Sequence, residues 1–348
     1  MSMKVLTVME PGRAEFLQEE KPKATGRMLL VKVKRTGICA TDFSIYTGES
    51  SFVKSGQIKY PVRFGHEWSG VVEAVGEDVK DFKVGDRIVS DSGFACGECE
   101  VCKRGDYAAC RNDRSVGTIN AWPGPFAEYM LVPEFHAYKL PDNVSYDEGA
   151  LIEPTAVSLD AFTDYEMKPD TTVAVIGVGA IGMGAIWLAK YFGAKNVIAI
   201  GLRDSKLEIA KQIGADTVVN SREADPVEAV LNATGGKGAD LVIETTGRES
   251  ALVQAFKMTI HTGRISIVSF YEKEITVPMD DIVHRKITVR GAAGQYQNPG
   301  RVCEIMAKNP MKLTPIITHR LPFEECLDAF QNEKEYHNTK IKVMVEFE

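Results

Sequence analysis

The chain has 348 residues, of which 44% are hydrophobic and 26% are charged, and its formal net charge is −7. This composition is typical of globular proteins, and at roughly 100 to 200 residues per domain the length predicts two domains. A mildly acidic chain is not typical of proteins that bind nucleic acid or anionic membranes, so we expect neither partner.

The N-terminal sequence and the cysteines predict a cytoplasmic protein. The apolar run around Val5 is too short for a secretory signal, and Glu10 and Pro11 follow it. The uncharged stretch 171–189 contains glycines and β-branched residues that indicate a buried strand and then a helix, not a transmembrane segment. Four of the seven cysteines lie between positions 96 and 110, which favours metal binding in a reducing compartment over disulfides.

The predicted elements change character along the chain. Up to about residue 150, turn residues separate short β-rich runs, which predicts an irregular, mostly β domain with strands at 29–33, 70–75 and 87–89. After Pro169, strands near 171–177, 196–200, 217–219, 239–244 and 263–268 alternate with helices near 180–192, 205–213, 226–233 and 248–258. Such alternation predicts a doubly wound parallel sheet. From about residue 292 the pattern is irregular again, and 340–346 alternates like an amphipathic strand.

A G-x-G-x-x-G motif follows the first strand of the alternating region and opens its first helix. Its glycines are Gly177, Gly179 and Gly182, with Ala180 and Ile181 before the last of them. In order, the glycines permit a tight turn, close approach of the backbone to a pyrophosphate, and close packing of helix on strand. The helix N-terminus offers N–H groups to the phosphates, so we predict a dinucleotide site here.

The end of the second strand favours NADP over NAD. An NAD site places an acidic residue there for the ribose 2′-hydroxyl, whereas this chain has Gly201. Arg203, together with Lys206, can bind a 2′-phosphate through charge-assisted hydrogen bonds. The alternative is that Arg203 is a solvated loop residue and that Asp204 binds the ribose.

Four closely spaced cysteines predict a structural zinc site. Cys96, Cys99, Cys102 and Cys110 lie within 15 residues, and glycines between them supply turns. Four thiolates at about 2.3 Å from Zn²⁺ close the coordination sphere, so this site should do no chemistry. Two disulfides, or an interaction module, are the alternatives.

A second group of possible metal ligands is dispersed. Cys39, His66, Glu67 and Glu153 offer a thiolate, an imidazole and carboxylates, a set that suits Zn²⁺ with one position open to substrate. From these residues alone, a buried cysteine and a core histidine are the commoner interpretations.

The motifs together resemble the zinc-dependent medium-chain alcohol/polyol dehydrogenases. The matching segments are 37–42, 65–67, the four cysteines, 153–154 and the glycine motif, in the family's order over essentially the whole chain. The resemblance implies an α/β fold in which a GroES-like, mostly β catalytic domain surrounds an inserted doubly wound Rossmann domain. It implies residues 1–153 for the catalytic domain, with 292–348 returning to it, and 154–291 for the Rossmann domain.

The resemblance also implies roles for single residues. Cys39 and His66 would be ligands of a catalytic zinc, and Asp42 would orient His66. Thr41 matches the hydroxyl residue that hydrogen-bonds the substrate oxygen. Where the family often has a histidine as the proton exit, this chain has Ser44, so solvent, Glu67 or the cofactor ribose would have to carry the proton.

An acidic residue would complete the catalytic site, and Glu67 and Glu153 are both candidates. Glu153 stands where classical alcohol dehydrogenases have cysteine, which places the chain nearer the sorbitol, threonine, glucose and sugar-alcohol-phosphate branches. The resemblance therefore implies two zinc ions per chain, a nicotinamide cofactor and reversible oxidation of a secondary alcohol to a ketone. It also implies a homodimer or homotetramer.

The substrate is expected to be a small alcohol, with a sugar alcohol or its phosphate favoured. The basic residues Lys54, Lys59 and Arg63 suit a phosphorylated or acidic substrate, and solvated lysines on a loop explain them equally well. Candidate pocket residues are Tyr46, Phe52, Gln295 and Tyr296. Oxidation of glucose-type aldoses or of L-threonine is the alternative within the family. A catalytically silent NADP(H)-binding sensor is the alternative from another class, against which the retained metal-ligand residues argue.

Overall fold

The structure, a computed structural model, describes residues 1–294, 296–309, 311–336 and 338–348. The chain divides into a first unit, made of Met1–Glu153, Gln295–Lys308 and Ile317–Glu348, and a second unit, made of Pro154–Gly294 and Asn309–Ile316. The sequence predicted that all of 292–348 returns to the first domain, and this is wrong for 292–294 and 309–316. Packing explains part of the difference, because the indole of Trp187 in the second unit donates a 2.7 Å hydrogen bond to the carbonyl of Met311.

The strands are β1 (Ser2–Glu10), β2 (Arg13–Glu20), β3 (Met28–Ile38), β4 (Glu67–Val75), β5 (Arg87–Ser90), β6 (Gly93–Phe94), β7 (Arg114–Ser115), β8 (Tyr129–Pro133), β9 (Ala137–Lys139), β10 (Thr172–Ile176), β11 (Asn196–Gly201), β12 (Thr217–Asn220), β13 (Ala239–Glu244), β14 (Thr259–Ile267), β15 (Thr288–Gly291), β16 (Ile317–Pro322) and β17 (Lys342–Glu346). The α-helices are α1 (Ala40–Thr47), α2 (Ser51–Lys54), α3 (Glu100–Lys103), α4 (Tyr146–Ala150), α5 (Ile152–Asp160), α6 (Ala180–Tyr191), α7 (Asp204–Gln212), α8 (Pro226–Ala233), α9 (Glu249–Met258), α10 (Met279–Arg285), α11 (Asn298–Lys308), α12 (Cys326–Gln331) and α13 (Glu333–Tyr336). Short 3₁₀ turns occupy Tyr107–Ala109, Glu134–His136, Thr314–Ile316 and Phe323–Glu325.

The first unit is built on a mostly antiparallel sheet. Over the described residues its strand order is β16-β17-β3-β4-β5-β9, and β8 also pairs with β3. Alternating apolar residues of β3 and β4 fill its core, as Val31, Val33 and Val72 show. In the register of β3 with β4, Gly37 lies opposite Glu67, so the end of one strand and the start of the next meet at one edge.

The second unit is a parallel sheet, and the predicted doubly wound topology is confirmed. Its strand order in the described residues is β12-β11-β10-β13-β14-β15. The central strand β10 is buried along its whole length, as expected when helices cover both faces of a parallel sheet. The chain order reverses between β10 and β13, and ligands of such folds bind outside the carboxyl ends of the strands at this position.

The predicted elements from 171 to 268 agree with the structure to within about four residues at their ends, whereas α10 and β15 were not predicted. The tail strand is present, but the prediction that it is amphipathic is wrong. Residues 342–345 of β17 are buried on both faces, because β17 lies inside the sheet between β16 and β3. Among the described residues, no helix is long and apolar enough to cross a membrane.

Candidate functional site

Three of the four dispersed ligand residues of the first unit come together where β3 ends and β4 begins. Cys39 follows β3 as the N-cap of α1, and Glu67 is the first residue of β4, preceded by His66. The ligand atoms of Cys39, His66 and Glu67 all lie within 4.8 Å of one another. We call these three residues with Glu153 the mixed cluster.

Asp42 faces His66 inside the protein, as the resemblance implied. Its Oδ1 lies 3.5 Å from His66 Nδ1, and neither atom has a hydrogen-bond partner among the described residues. The other oxygen, Oδ2, accepts a 2.8 Å hydrogen bond from the backbone N–H of Cys39. Burial raises the pKa of Asp42 to about 6. The carboxylate is therefore placed to orient the histidine and to fix the backbone of the cysteine.

The charges of the mixed cluster favour a cation. Burial by itself lowers the pKa of His66, but the negative charges of Asp42, Cys39 and Glu153 outweigh burial and raise the pKa well above its ordinary value. These negative groups thus favour a positive charge at this position. Soft thiolate, imidazole and carboxylate groups in one place are donors that Zn²⁺ prefers, so these residues fit that ion.

The two candidate acidic ligands have different surroundings. Both carboxylate oxygens of the buried Glu67 accept hydrogen bonds from Lys342 Nζ, at 2.6 Å for Oε1 and 2.5 Å for Oε2, and the same Nζ donates to the carbonyl of Ile38. Glu153 hydrogen-bonds the Ser92 side chain, and burial raises its pKa. A cation thus already neutralises Glu67, whereas His66 provides the largest opposing charge at Glu153.

Thr41 and Ser44 lie on α1, directly after Cys39. Thr41 is half-buried in the first turn of the helix, next to the mixed cluster in sequence. Ser44 Oγ donates a 2.9 Å hydrogen bond to the carbonyl of Thr41, one turn back. The hydroxyl proton of Ser44 is therefore engaged within the helix, so Ser44 does not take the role of proton exit that a histidine often has in the family.

The four-Cys segment forms a compact lobe, and all seven cysteines of the chain, each a described residue, are free thiols. Sulfur–sulfur distances in the lobe are 3.4 Å for Cys99–Cys102, 3.6 Å for Cys96–Cys110, and 3.9 Å for both Cys96–Cys102 and Cys99–Cys110. A tetrahedron with about 2.3 Å zinc–sulfur bonds has edges of about 3.8 Å, so the four sulfurs fit one ion.

Backbone N–H groups in the lobe stabilise a thiolate. The N–H groups of Glu98 and Cys99 lower the pKa of Cys96 to about 6, whereas burial and the neighbouring thiols raise that of Cys102 to about 12. Four thiols this close cannot all ionise without a cation among them. The residues therefore fit a closed structural zinc site.

In the second unit, the glycine motif leads from β10 into α6. Gly177 has φ of +108°, a Cβ on Gly182 would collide with the carbonyl of Gly177, and Gly179 is the exposed N-cap of α6 with open space around it. Ala180 and Ile181 form the first turn of α6. The backbone is thus arranged for a phosphate at the helix N-terminus.

A cavity of about 340 Å³ lies beside the glycine motif. Its walls include the predicted residues Gly177, Gly179, Gly201, Arg203 and Lys206. Asp204, the alternative ribose ligand, accepts a 2.9 Å hydrogen bond from the amide of Asn220. The cavity thus places the cationic residues Arg203 and Lys206 in the same wall as the glycine motif.

Several residues proposed for the substrate pocket have other roles. Tyr46 is buried and donates to the carbonyl of Gly12, and Phe52 packs against the first core. Tyr296 packs in the four-Cys lobe and hydrogen-bonds Asp113. Gln295 lies outside the described residues.

The basic residues that favoured a phosphorylated substrate do not form a cluster with free charge. Lys54 and Lys59 are exposed. The Arg63 side chain is 10% exposed and pairs with Glu19 at 3.2 Å, so its charge is already compensated.

Some site residues were missed by the sequence-based reasoning. Lys342 was counted on the polar face of an amphipathic strand, although a lysine within an otherwise apolar tail was a possible indication. Ser92 carries no recognisable pattern. The cavity beside the glycine motif also includes Ser221, Thr245, Thr246 and Arg248, of which the Thr-Thr-Gly after β13 could have been suspected from its place at a strand end.

Two family models and several known proteins match the chain. Residues 26–142 match the family model described as alcohol dehydrogenase GroES-like domain, and residues 180–307 match zinc-binding dehydrogenase. L-threonine 3-dehydrogenase of Bacillus subtilis is 36% identical over 313 residues, 89% of each chain. Sorbitol dehydrogenase of the same species is 32% identical over 318 residues, 91% of this chain and 89% of its own. A candidate zinc-binding dehydrogenase of Sinorhizobium meliloti 1021, solved with NADP, is 29% identical with a TM-score of 0.91 and 99% of both chains covered.

The fold and the two ligand groups define a two-domain, zinc-binding oxidoreductase with a dinucleotide site. The chain belongs to the zinc-dependent medium-chain alcohol/polyol dehydrogenases. It is thus an enzyme that uses zinc and a nicotinamide cofactor.

Proposed function

We propose that the protein oxidises a small secondary alcohol reversibly, with NADP⁺ as hydride acceptor and two zinc ions in each chain. The mixed cluster carries the proposal, because the ligand atoms of Cys39, His66 and Glu67 lie within 4.8 Å of one another and the negative charge around the imidazole suits a divalent cation. When bound, the catalytic ion supplies Lewis acidity at the substrate hydroxyl. Cys39, His66 and Glu153 would hold this ion, and the four-Cys lobe would hold the structural one.

The surrounding residues orient the ligands and handle the substrate proton. Asp42 holds the imidazole from its Nδ1 side and leaves the other nitrogen to the ion. Thr41, beside Cys39, would accept the proton of the alcohol and position its oxygen. Because the Ser44 hydroxyl donates its hydrogen bond to the backbone carbonyl of Thr41, the proton of the alcohol would continue to solvent or to the cofactor ribose.

The choice of Glu153 as third protein ligand rests on its surroundings. Lys342 donates hydrogen bonds to both carboxylate oxygens of Glu67. If Glu67 bound the metal instead, this buried ion pair would be broken. Metal content should therefore separate the two: Glu153→Gln loses the second zinc, whereas Glu67→Gln retains it. Retention of two zinc ions by Glu153→Gln would refute the assignment.

The preference for NADP follows from the cavity beside the glycine motif. Its wall has Gly201 where a carboxylate would repel a 2′-phosphate, and Arg203 and Lys206 lie beside it. Saturation with NAD⁺ at much lower concentration than with NADP⁺ would refute it.

For the substrate we propose an unphosphorylated sugar alcohol, since the ion pair of Arg63 removes one basis for a phosphate. L-Threonine is the second candidate, favoured by the 36% identity with L-threonine 3-dehydrogenase. The test is a screen of polyols, polyol phosphates, aldoses and L-threonine, each with NAD⁺ and NADP⁺. Turnover of none of them by a chain that binds NADP(H) and one zinc would favour the silent sensor.

Two further proposals concern the setting of the enzyme. A homodimer or homotetramer is proposed because β15 is an edge strand of the parallel sheet, and Met279 and Val283 on the preceding helix α10 are 60% and 74% exposed. A cytoplasmic location is proposed because the lobe needs reduced thiols. A monomer in analytical ultracentrifugation would refute the proposed oligomer. Export of the protein to an oxidising compartment would refute the cytoplasmic location.

A further inference from the structure

His136 is a buried histidine that the proposed reaction does not use. It ends the 3₁₀ turn Glu134–His136 and is 2% exposed. Its Nδ1 lies 3.0 Å from Asp91 Oδ2, and its Nε2 lies 2.9 Å from the carbonyl oxygen of Ala95. One imidazole therefore holds both ends of the segment 91–95.

Each end of that segment is next to a group that contacts or provides a metal ligand. Ser92 follows Asp91 and hydrogen-bonds Glu153 of the mixed cluster. Cys96 follows Ala95, and its N–H donates to Cys110 Sγ at 3.4 Å within the four-Cys lobe. The segment thus connects the two candidate metal sites of the first unit through five residues of backbone.

The partner of His136 Nε2 determines the direction of that hydrogen bond. A carbonyl oxygen only accepts hydrogen bonds, so Nε2 carries a proton and donates it to Ala95. On the other side, Nδ1 lies against Asp91 Oδ2, so each ring nitrogen of the buried imidazole has a hydrogen-bond partner.

Further contacts fix the pair in place. Asp91 Oδ1 accepts hydrogen bonds from the Tyr138 hydroxyl at 3.1 Å and from the backbone N–H of Gln297 at 3.0 Å. The ring of Phe94, within the segment, stacks on the imidazole with a centroid distance of 5.2 Å and an angle of 19°. A histidine that only filled space would not need an acceptor at each nitrogen.

We propose that His136 is a positioning residue for both metal sites: its bond to Asp91 directs Ser92 towards Glu153, and its bond to Ala95 fixes Cys96 in the lobe. This inference rests on the proposed zinc sites. It predicts that the two hydrogen bonds can be removed one at a time. In His136→Asn the amide group takes the place of Nδ1 and can keep the bond to Asp91. In His136→Gln the amide group takes the place of Nε2 and can keep the bond to Ala95.

The test uses the full chain loaded with Co²⁺ in place of zinc, since four thiolates and one thiolate give different charge-transfer absorption. Release to EDTA is then followed at each site. We expect His136→Asn to lose metal from the four-Cys lobe roughly 10- to 100-fold faster while the mixed cluster keeps its rate. We expect the reverse for His136→Gln, and acceleration at both sites for His136→Phe.

Two controls keep the test decisive if the histidine variants fold poorly. Ser92→Ala keeps the imidazole and should accelerate release from the mixed cluster alone, while Tyr138→Phe removes one donor to Asp91 and should leave the lobe rate unchanged. Equal effects of His136→Asn and His136→Gln on both sites, or no effect of Ser92→Ala, would overturn the inference. A wild-type chain that binds no Co²⁺ at the mixed cluster would instead overturn the proposed function.

Discussion

At the scale of single residues, the two candidate carboxylates of the mixed cluster differ in their charged partners. Lys342 and Glu67 are 3% and 1% exposed at their side chains, and the attraction of Glu67 raises the pKa of Lys342 against the opposing effect of burial. A Cβ on Gly37 would collide with Glu67 Oε2, so the strand leaves the carboxylate just enough room. Glu67 is thus held as an ion pair beside the metal ligands.

Lys342→Met should therefore destabilise the protein strongly. It leaves the Glu67 charge buried and unpaired, which costs about 3–5 kcal/mol in the free energy of unfolding. The double variant with Glu67→Gln should recover most of this loss, because no charge remains to be compensated. Urea unfolding of the metal-loaded single and double variants measures both effects; a single variant as stable as the double would contradict the ion-pair interpretation.

A second prediction at this scale concerns Arg203. A charge-assisted hydrogen bond contributes about 1.5–3 kcal/mol, so Arg203→Ala should raise the dissociation constant of NADPH at least roughly tenfold. The dissociation constant of NADH should change little, because NADH has no 2′-phosphate. Fluorescence titration with both cofactors measures this, and Lys211→Ala, in the last turn of α7 and outside the cavity lining, is the control. Equal losses for NADPH and NADH would argue against a 2′-phosphate contact.

At the scale of elements, two glycines of one motif have separable roles. A Cβ on Gly182 meets the backbone carbonyl of Gly177, whereas a Cβ on Gly179 meets nothing within 4 Å, and φ at Gly179 is −85°, which any residue adopts. Gly182→Ala should therefore force β10 and α6 apart and lower the melting temperature. Gly179→Ala should keep the melting temperature and weaken cofactor binding, because the methyl group stands where the pyrophosphate approaches. Thermal melts with and without NADPH distinguish these outcomes; a large stability loss in Gly179→Ala would contradict the assignment.

Elements with regular periodicity were predictable from the sequence, and long-range pairs were not. The strand and helix pattern after Pro169 and the spacing of the four cysteines depend on neighbours in the chain, so their patterns are visible in the sequence. The pairing of Lys342 with Glu67 joins residues 275 positions apart, and it exists only because β17 inserts beside β3. The contact of Ser92 with Glu153 depends on tertiary folding in the same way, as does the paired state of Arg63.

At the scale of the whole molecule, each of the two units has its own core and its own ligands. The first core surrounds residues such as Val31 and Phe64, the second residues such as Ile198 and Val242. Both groups of metal-ligand residues belong to the first unit, and the cavity beside the glycine motif belongs to the second. Metal and cofactor should therefore stabilise different parts of the chain.

Hydrogen exchange on the full chain tests this division. Removing zinc with a chelator should speed exchange in peptides from 91–115 and 37–67, because the thiolates of the lobe repel one another and the mixed cluster loses its cation. NADPH should slow exchange around 176–206 and 244–251, which line its cavity, since a ligand that binds only the native state stabilises what it contacts. Cys303→Ala, a thiol outside both metal groups, should respond to the chelator as the wild type does. Protection of 91–115 that is unchanged by complete zinc removal would show that the lobe is stable without metal and that its four thiols have another role.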